Sequence, residues 1–206
     1  DLDGVEIEAY GHLFDSFLSP RTNSREDNYG GSLENRMRFG MEVLADMRRQ
    51  AGADFIIGVR MAVDEAAGDG FGFDDGIEIM RRLHEAKLVD FINVIVGTID
   101  TDESLSHIIP LMGTPAGPNF AKVKAARAAL PGLPIFHAAR INDLATARHW
   151  VADDAVDMIG MTRAHMADPH IVAKTMRGEE ERIRPCVGAG YCIDRIYQGG
   201  EALCLH

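Results

Sequence analysis

Two short apolar runs in the second half of the chain, Ile135 to Ala138 and Met158 to Met161, each lead at once into a turn that carries an arginine, Arg140 and Arg163. A helix-length segment through Trp150 separates them. Parallel strands joined by a helix place their C-termini side by side, so both guanidinium groups and the backbone N–H groups of both turns converge on one spot. Such a spot suits a phosphate. In a (β/α)8 barrel a phosphate site commonly lies in the loops after the seventh and eighth strands, and the two runs are read as those strands. Two ordinary strand ends with solvated arginines are the alternative.

Three further groups could do chemistry. Glu8, Tyr10 and His12 follow the apolar positions Val5 and Ile7 of an opening strand, and polar residues at the C-terminal end of a barrel strand face the active site. Arg60 stands near the end of the nearly continuous apolar run from Phe55 to Met61. A charge in a barrel mouth must meet an anion or a polarised acceptor, since burying it unpaired is costly; a structural ion pair with Asp64 or Glu65 would also satisfy it. The last group is Cys186, Cys192 and Cys204, the only cysteines in the chain. Three thiols at one end make no disulfide framework, and a cytoplasmic location, the compartment expected here, would keep them reduced.

The elements that carry these residues alternate strand and helix. After the first strand, Arg21 to Arg36 is a polar loop of the kind that is either functional or tightly self-bonded. Ser32, with Glu34 and Asn35, starts a helix to about Gln50 whose apolar stripe is Met37, Met41, Leu44 and Met47, and Gly52 stops it. The strand at Phe55 follows, then a flexible loop from Gly68 to Gly72, a helix from Phe73 to about Ala86, and a third strand from Phe91 to Gly97. Thr98 to Phe120 is a long polar loop expected to cover the site, and Lys122 to Leu130 is a helix. Ala167-Asp-Pro opens a helix from His170 to about Arg177 that would close the barrel.

The pattern is that of an α/β chain: about the last five β/α units of a (β/α)8 TIM barrel over residues 1–180, then a cysteine-rich segment over residues 181–206. A whole barrel needs roughly 250 residues, whereas the chain has 206. It is therefore read as a fragment that lacks the front of a barrel and whatever follows His206. A net charge of -11 argues against nucleic-acid and anionic-membrane surfaces, which need clustered Lys and Arg. No apolar run reaches the ~20 residues of a membrane span. With 46% hydrophobic residues the chain can bury a sizeable core, and small-molecule chemistry is the expected class.

The loop Asn23-Ser-Arg-Glu-Asp-Asn-Tyr-Gly-Gly-Ser-Leu-Glu-Asn-Arg, the strand Val59-Arg-Met with Asp64-Glu65, the turn Ala139-Arg-Ile-Asn-Asp, and Met161-Thr-Arg-Ala with Ala167-Asp-Pro occur in order through nearly the whole chain. In these motifs the sequence resembles the old yellow enzyme family of FMN oxidoreductases. The resemblance implies that Arg60 approaches the pyrimidine edge of the flavin, where its charge stabilises electron density on the reduced ring. It also implies that Ala139, Arg140, Thr162 and Arg163 bind FMN, the last three at its phosphate.

The segment from Arg184 to Cys204 resembles the part that binds a four-iron cluster in the larger relatives, the 2,4-dienoyl-CoA reductases and trimethylamine dehydrogenases. Their pattern is three close cysteines and a fourth farther on; Cys186, Cys192 and Cys204 match the first, third and fourth, and Ala189 stands at the second. Four thiolates are the usual requirement. A 4Fe-4S cluster with a non-cysteine ligand such as Asp194, a 3Fe-4S form, a lost cluster, and three buried free thiols all stay open.

At the substrate end, relatives that reduce activated alkenes present a tyrosine proton donor where this chain has His12, with Tyr10 just before it. The segments Glu8-Ala-Tyr-Gly-His-Leu and Cys186-Val-Gly-Ala-Gly-Tyr-Cys look most like the N-methylproline demethylases. Oxidising an N-methyl amine requires the neutral amine, because the nitrogen lone pair must push as the C–H bond breaks. The resemblance thus implies oxidative N-demethylation, with His12 as proton acceptor, Tyr10 as an aromatic face for a methylated cation, and Glu8 to balance its charge. Electrons would pass from flavin to the cluster and on to an acceptor. NAD(P)H-dependent reduction of an enoate or dienoyl thioester is one alternative; a non-catalytic barrel without its cofactor is another. His12 could equally be a helix-start histidine bonded to backbone, and a homo-oligomer is compatible with every reading.

Overall fold

Residues 2–206 are described by a computed structural model. Five strands, β1 (Gly4–Ala9), β2 (Ile56–Asp64), β3 (Phe91–Val96), β4 (Ile135–His137) and β5 (Met158–Ile159), form one parallel sheet in the order β1-β2-β3-β4-β5. Helices connect them: α1 (Leu13–Leu18) and α2 (Leu33–Ala51) after β1, α3 (Phe73–Glu85) after β2, α4 (Asp102–Ile108) and α5 (Phe120–Ala129) after β3, and α6 (Leu144–Ala152) after β4. Beyond β5 come α7 (Thr162–Ala167), α8 (Ile171–Met176) and, in the cysteine segment, α9 (Tyr191–Tyr197). This is the strand-helix alternation of a TIM barrel, in five of its units. No helix among the described residues is long and apolar enough to cross a membrane.

The register sorts side chains into two faces. Ile7, Val59, Ile92 and Ile135 share one row of the sheet; Glu8, Arg60, Asn93, Phe136 and Met158 share the next. Adjacent rows point to opposite faces. Val59, Ile92 and Ile135 are buried in the core that the helices complete with Leu44, Ile79 and Met80. The charged row lies on the other face, which in a barrel is the interior. Gly58 sits there for steric reasons, since a Cβ would come within 2.0 Å of the Phe91 ring, which is itself stacked on Phe136.

Local signals place the long helices where the pattern puts them. Ser32 caps α2 by accepting a hydrogen bond from the Asn35 N–H at 3.3 Å, and Gly52 ends it with φ at +88°. The polar segment from Arg21 to Arg36 proves self-bonded. Asn23 donates to the carbonyls of Phe17 and Tyr29, and the buried Arg36 donates to those of Leu18 and Gly31. Side chains here replace the backbone partners that an irregular loop lacks.

Three details differ from the sequence reading. The stretch from Thr98 to Phe120 is not loop throughout, because α4 occupies its middle. Thr101 caps that helix, and the buried Ser104 Oγ accepts from the Thr98 N–H and donates to the Glu65 carbonyl. It escaped the pattern because only Ser104 and Ile108 of its residues are buried, too little for a helical stripe. β2 runs on to Asp64, past Met61, since Ala62 and Asp64 still pair with β3. β4 and β5 are shorter than the apolar runs that contain them, and Thr162 and Arg163 belong to α7 rather than to a turn.

His137 is one of the fully buried polar side chains. Its Nδ1 lies 2.6 Å from the Val94 carbonyl, its ring stacks on Trp150 at 5.1 Å, and its buried Nε2 has no partner among the described residues. Burial first, with help from the charge of Arg60, pushes its pKa down to about 4 from 6.5, against the Val94 bond. The unfolded chain therefore takes up a proton at this ring near pH 6.5 while the folded protein stays neutral to about pH 4. Stability of about 3 kcal/mol is expected to be lost as pH falls across that window. Urea midpoints measured from pH 7 down to pH 4 should fall less steeply in His137→Gln than in the parent; parallel slopes would exclude His137 as the source.

Candidate functional site

Parallel strands deliver their C-termini to one edge of the sheet, and a cavity of about 250 Å³ opens there. Arg60 reaches it from β2 and Tyr10 from just beyond β1; Ala139 and Arg140 follow β4, while Thr162 and Arg163 open α7. Every residue expected to bind the cofactor lines this one cavity. Its opposite wall comes from the cysteine segment, through Cys186, Gly188 and Cys192. Cys204 lies in a smaller neighbouring cavity of about 30 Å³, shared with Cys186, Ala189 and Cys192. His12 lines neither. It stands at the head of α1, exposed, its backbone N–H donating to Asp15 Oδ1 at 2.7 Å, its Nε2 3.5 Å from Glu8 Oε2 and its ring 6.4 Å from that of Tyr10.

The arginines are held differently. Arg60 forms no ion pair with Asp64 or Glu65: Asp64 binds Lys122 at 2.7 Å, and the buried Glu65 accepts from Ser19 Oγ and the Phe71 N–H, both at 2.8 Å. Its guanidinium instead lies 5.1 Å from the centre of the Tyr10 ring, and its buried Nε has no partner among the described residues. Arg140 adopts φ +48°, donates through Nε to the Thr114 carbonyl, and leaves a buried Nη1 without a partner among the described residues. Arg163 directs both Nη atoms to the Pro110 carbonyl at 3.0 Å. Burial lowers its pKa, while the nearby sulfurs of Cys186 and Cys192 favour its charge. Tyr10 is pushed up to about 12, by burial first, partly offset by Arg60 and reinforced by a hydrogen bond with Glu8. Its phenol stays neutral at any physiological pH.

Several lining residues had no role in the sequence reading. Ile108 and Ile109 close one side of the cavity, Ile193 and Ile196 another. Asn142 lies in the quoted turn after β4, yet nothing in that motif shows that its Nδ2 donates to the Cys186 carbonyl at 2.6 Å. A flavin nucleotide would bring an apolar ring, a polar pyrimidine edge and an anionic phosphate. The four isoleucines suit the first, and two buried guanidinium nitrogens without partners suit the others. Gly160 keeps the floor open, because a Cβ there would come within 2.8 Å of that of Ala138.

Residues 1–182 match the NADH:flavin oxidoreductase / NADH oxidase family. The chain belongs to this family. Among its relatives, a protein of Rhizobium meliloti described as "Probable N-methylproline demethylase" is 54% identical over 100% of this chain and 30% of its own length. The "N,N-dimethylglycine/sarcosine dehydrogenase" of Chromohalobacter salexigens is 45% identical over 99% of the chain and 29% of its own. The structure of a 2-naphthoyl-CoA reductase in complex with 2-naphthoyl-CoA superposes with a TM-score of 0.89 at 30% identity, covering 98% of this chain and 30% of that one. The chain thus spans about 30% of the length of the relatives it matches.

In this NADH:flavin oxidoreductase chain, backbone groups dock the cysteine segment onto the barrel. Asp168, 1% exposed, accepts from Lys174 Nζ and from the N–H groups of His170 and Arg184, both at 3.0 Å. Lys174 first, then these N–H groups, hold its carboxyl well below the usual carboxylate range. The Met112 N–H donates to the Gly188 carbonyl at 2.7 Å. Gly188 itself packs so tightly on Arg140 that a Cβ would lie 2.2 Å from Nη1. Among the described residues, no group of three His, Cys, Asp or Glu stands close enough to hold a single metal ion. Asp168→Ala removes the carboxylate that accepts from the Arg184 N–H and from Lys174 Nζ, and is expected to speed tryptic cleavage after Arg182 severalfold with the far-ultraviolet circular dichroism unchanged. Equal cleavage rates would show that the segment is anchored elsewhere.

Proposed function

We propose that residues 1–180 are the FMN-binding part of an enzyme that oxidatively N-demethylates a small methylated amine or amino acid. Residues 181–206 then form the segment that carries an iron–sulfur cluster, which passes electrons to an external acceptor. The observation that supports the reading most is the convergence of Arg60, Arg140 and Arg163 on one cavity in a chain of net charge -11, two of them with buried nitrogens lacking partners. The relatives at 54% and 45% identity, whose descriptions name N-methylproline demethylation and dimethylglycine or sarcosine oxidation, support the substrate class.

Arg140, Thr162 and Arg163 would hold the phosphate of FMN, Ala139 would line its site, and Arg60 would face the pyrimidine edge. FMN, when bound, supplies the two-electron acceptor for the substrate C–H bond beside nitrogen. His12 Nε2 takes the proton from the substrate ammonium, which frees the nitrogen lone pair, and Glu8 at 3.5 Å stabilises the imidazolium that results. Tyr10 presents its ring to the methylated cation. Water then adds to the iminium, and formaldehyde leaves with the secondary or primary amine as the other product.

One observation favours a second reading. The Tyr10 phenol, kept protonated by a pKa of about 12, can donate as well as stack, which is what reduction of an activated alkene with NAD(P)H requires; the likeness to a naphthoyl-CoA reductase points the same way. Anaerobic mixing of the full-length protein with methylated amino acids, and separately with NADPH and an enone or dienoyl thioester, distinguishes the two. Bleaching by the amine with formaldehyde release is expected. Rapid NADPH-dependent alkene reduction without any bleaching by amines would replace the demethylase reading.

Two substitutions probe the roles. His12→Ala should slow formaldehyde release ~100-fold or more, the loss typical of a general base, and a change under about threefold would remove His12 from the proton path. Arg163→Ala should weaken FMN retention by about 1.5–3 kcal/mol, the range for a hydrogen bond to a charged group. Unchanged FMN affinity by equilibrium dialysis would sink the phosphate assignment.

A further inference from the structure

Ala189 leaves the cysteine segment one thiol short of the usual four ligands of a cubane cluster. The small cavity that Cys186, Cys192 and Cys204 share is lined by Ala189 and also by His206. Asp194, the acidic alternative, does not line it; its exposed carboxylate accepts from Gln198 Nε2 at 2.8 Å along α9.

The histidine is oriented as a ligand would be. Its Nε2 lies 2.9 Å from the carbonyl oxygen of Pro185, the residue before Cys186. A carbonyl only accepts, so Nε2 carries the proton and Nδ1 is left with its lone pair. Metal-bound histidines commonly donate their second N–H to a backbone carbonyl, which fixes both tautomer and ring direction. Here that bond holds the ring beside the first of the three cysteines, in the cavity that Ala189 also lines.

We propose that His206 supplies, through Nδ1, the fourth ligand of the iron–sulfur cluster in place of a thiolate at position 189. The inference rests on the cluster assigned above to residues 181–206. A neutral imidazole in place of a thiolate makes the site one negative charge poorer. Histidine ligation raises the potential of the clusters in which it replaces cysteine, so His206 makes this cluster a better acceptor for electrons leaving the flavin.

The test uses the full-length protein, reconstituted anaerobically with iron and sulfide, and reads iron content and the nitrogen couplings of the reduced cluster by pulsed EPR. The parent should hold about four irons per chain and show a strong nitrogen coupling from one directly bound imidazole. His206→Ala should lose that coupling together with at least one iron. Adding Ala189→Cys to it should restore about four irons without the nitrogen signal, which separates ligand loss from misfolding. Full iron occupancy in His206→Ala, absence of the nitrogen coupling in the parent, or absence of iron from the parent would each overturn the inference. Amine-dependent flavin bleaching is followed in the same preparations: its absence would remove the demethylase reading, while iron content and the nitrogen coupling decide the ligand.

Discussion

Parallel pairing in one continuous order is the constraint on which the rest of the molecule depends. Strands that all run the same way end at the same edge, so residues from β1, β2 and the segments after β4 and β5 meet although they are far apart in sequence. The buried rows through Val59, Ile92 and Ile135 hold that edge in place, and the helices cover them. What gathers at the edge is mutually repulsive. Arg60, Arg140 and Arg163 line one cavity, and an unsatisfied buried donor costs roughly 1–3 kcal/mol. The core offsets that cost and keeps the three charges at one edge.

Support for the arginines comes from segments that look irregular. The stretch between β3 and α5 supplies the carbonyls of Pro110 and Thr114 to Arg163 and Arg140, and the Gly117 N–H donates back to the Arg140 carbonyl. The same stretch binds Gly188 through Met112. One connection thus braces two arginines of the cavity and the cysteine segment at once. Movement of the cysteines would be felt at Arg140, whose Nη1 lies where a Cβ on Gly188 would go. The cysteine segment and the arginine-lined cavity share a wall.

The loop from Asn23 to Arg36, which carries the longest family resemblance, takes no part in the cavity. Asn23 and Arg36 spend their donors on the loop's own carbonyls and on those at the end of α1. A long ordered connection between β1 and α2 must satisfy its N–H and C=O groups somewhere, and Asn23 and Arg36 do so.

Much of this was legible in the residues alone. Apolar periodicity marked the long elements, because burial against a sheet imposes it locally; the repeated strand-arginine device marked the edge where the arginines gather, because parallel topology follows from strand-helix alternation. Tertiary structure decided what depends on partners distant in sequence. Asp64 and Glu65 stand close enough to Arg60 in sequence to neutralise it, but they turn to Lys122 and Ser19 instead. Asn142 meets Cys186 across 44 positions, and Arg163 meets Pro110 across 53. Asp194, a candidate ligand by its place in the cysteine segment, is exposed on α9 once the chain folds, while the Pro185 carbonyl holds His206 beside the thiols. Composition and spacing specify which groups exist and which faces are buried; only the closed backbone specifies which polar atom is left without a partner.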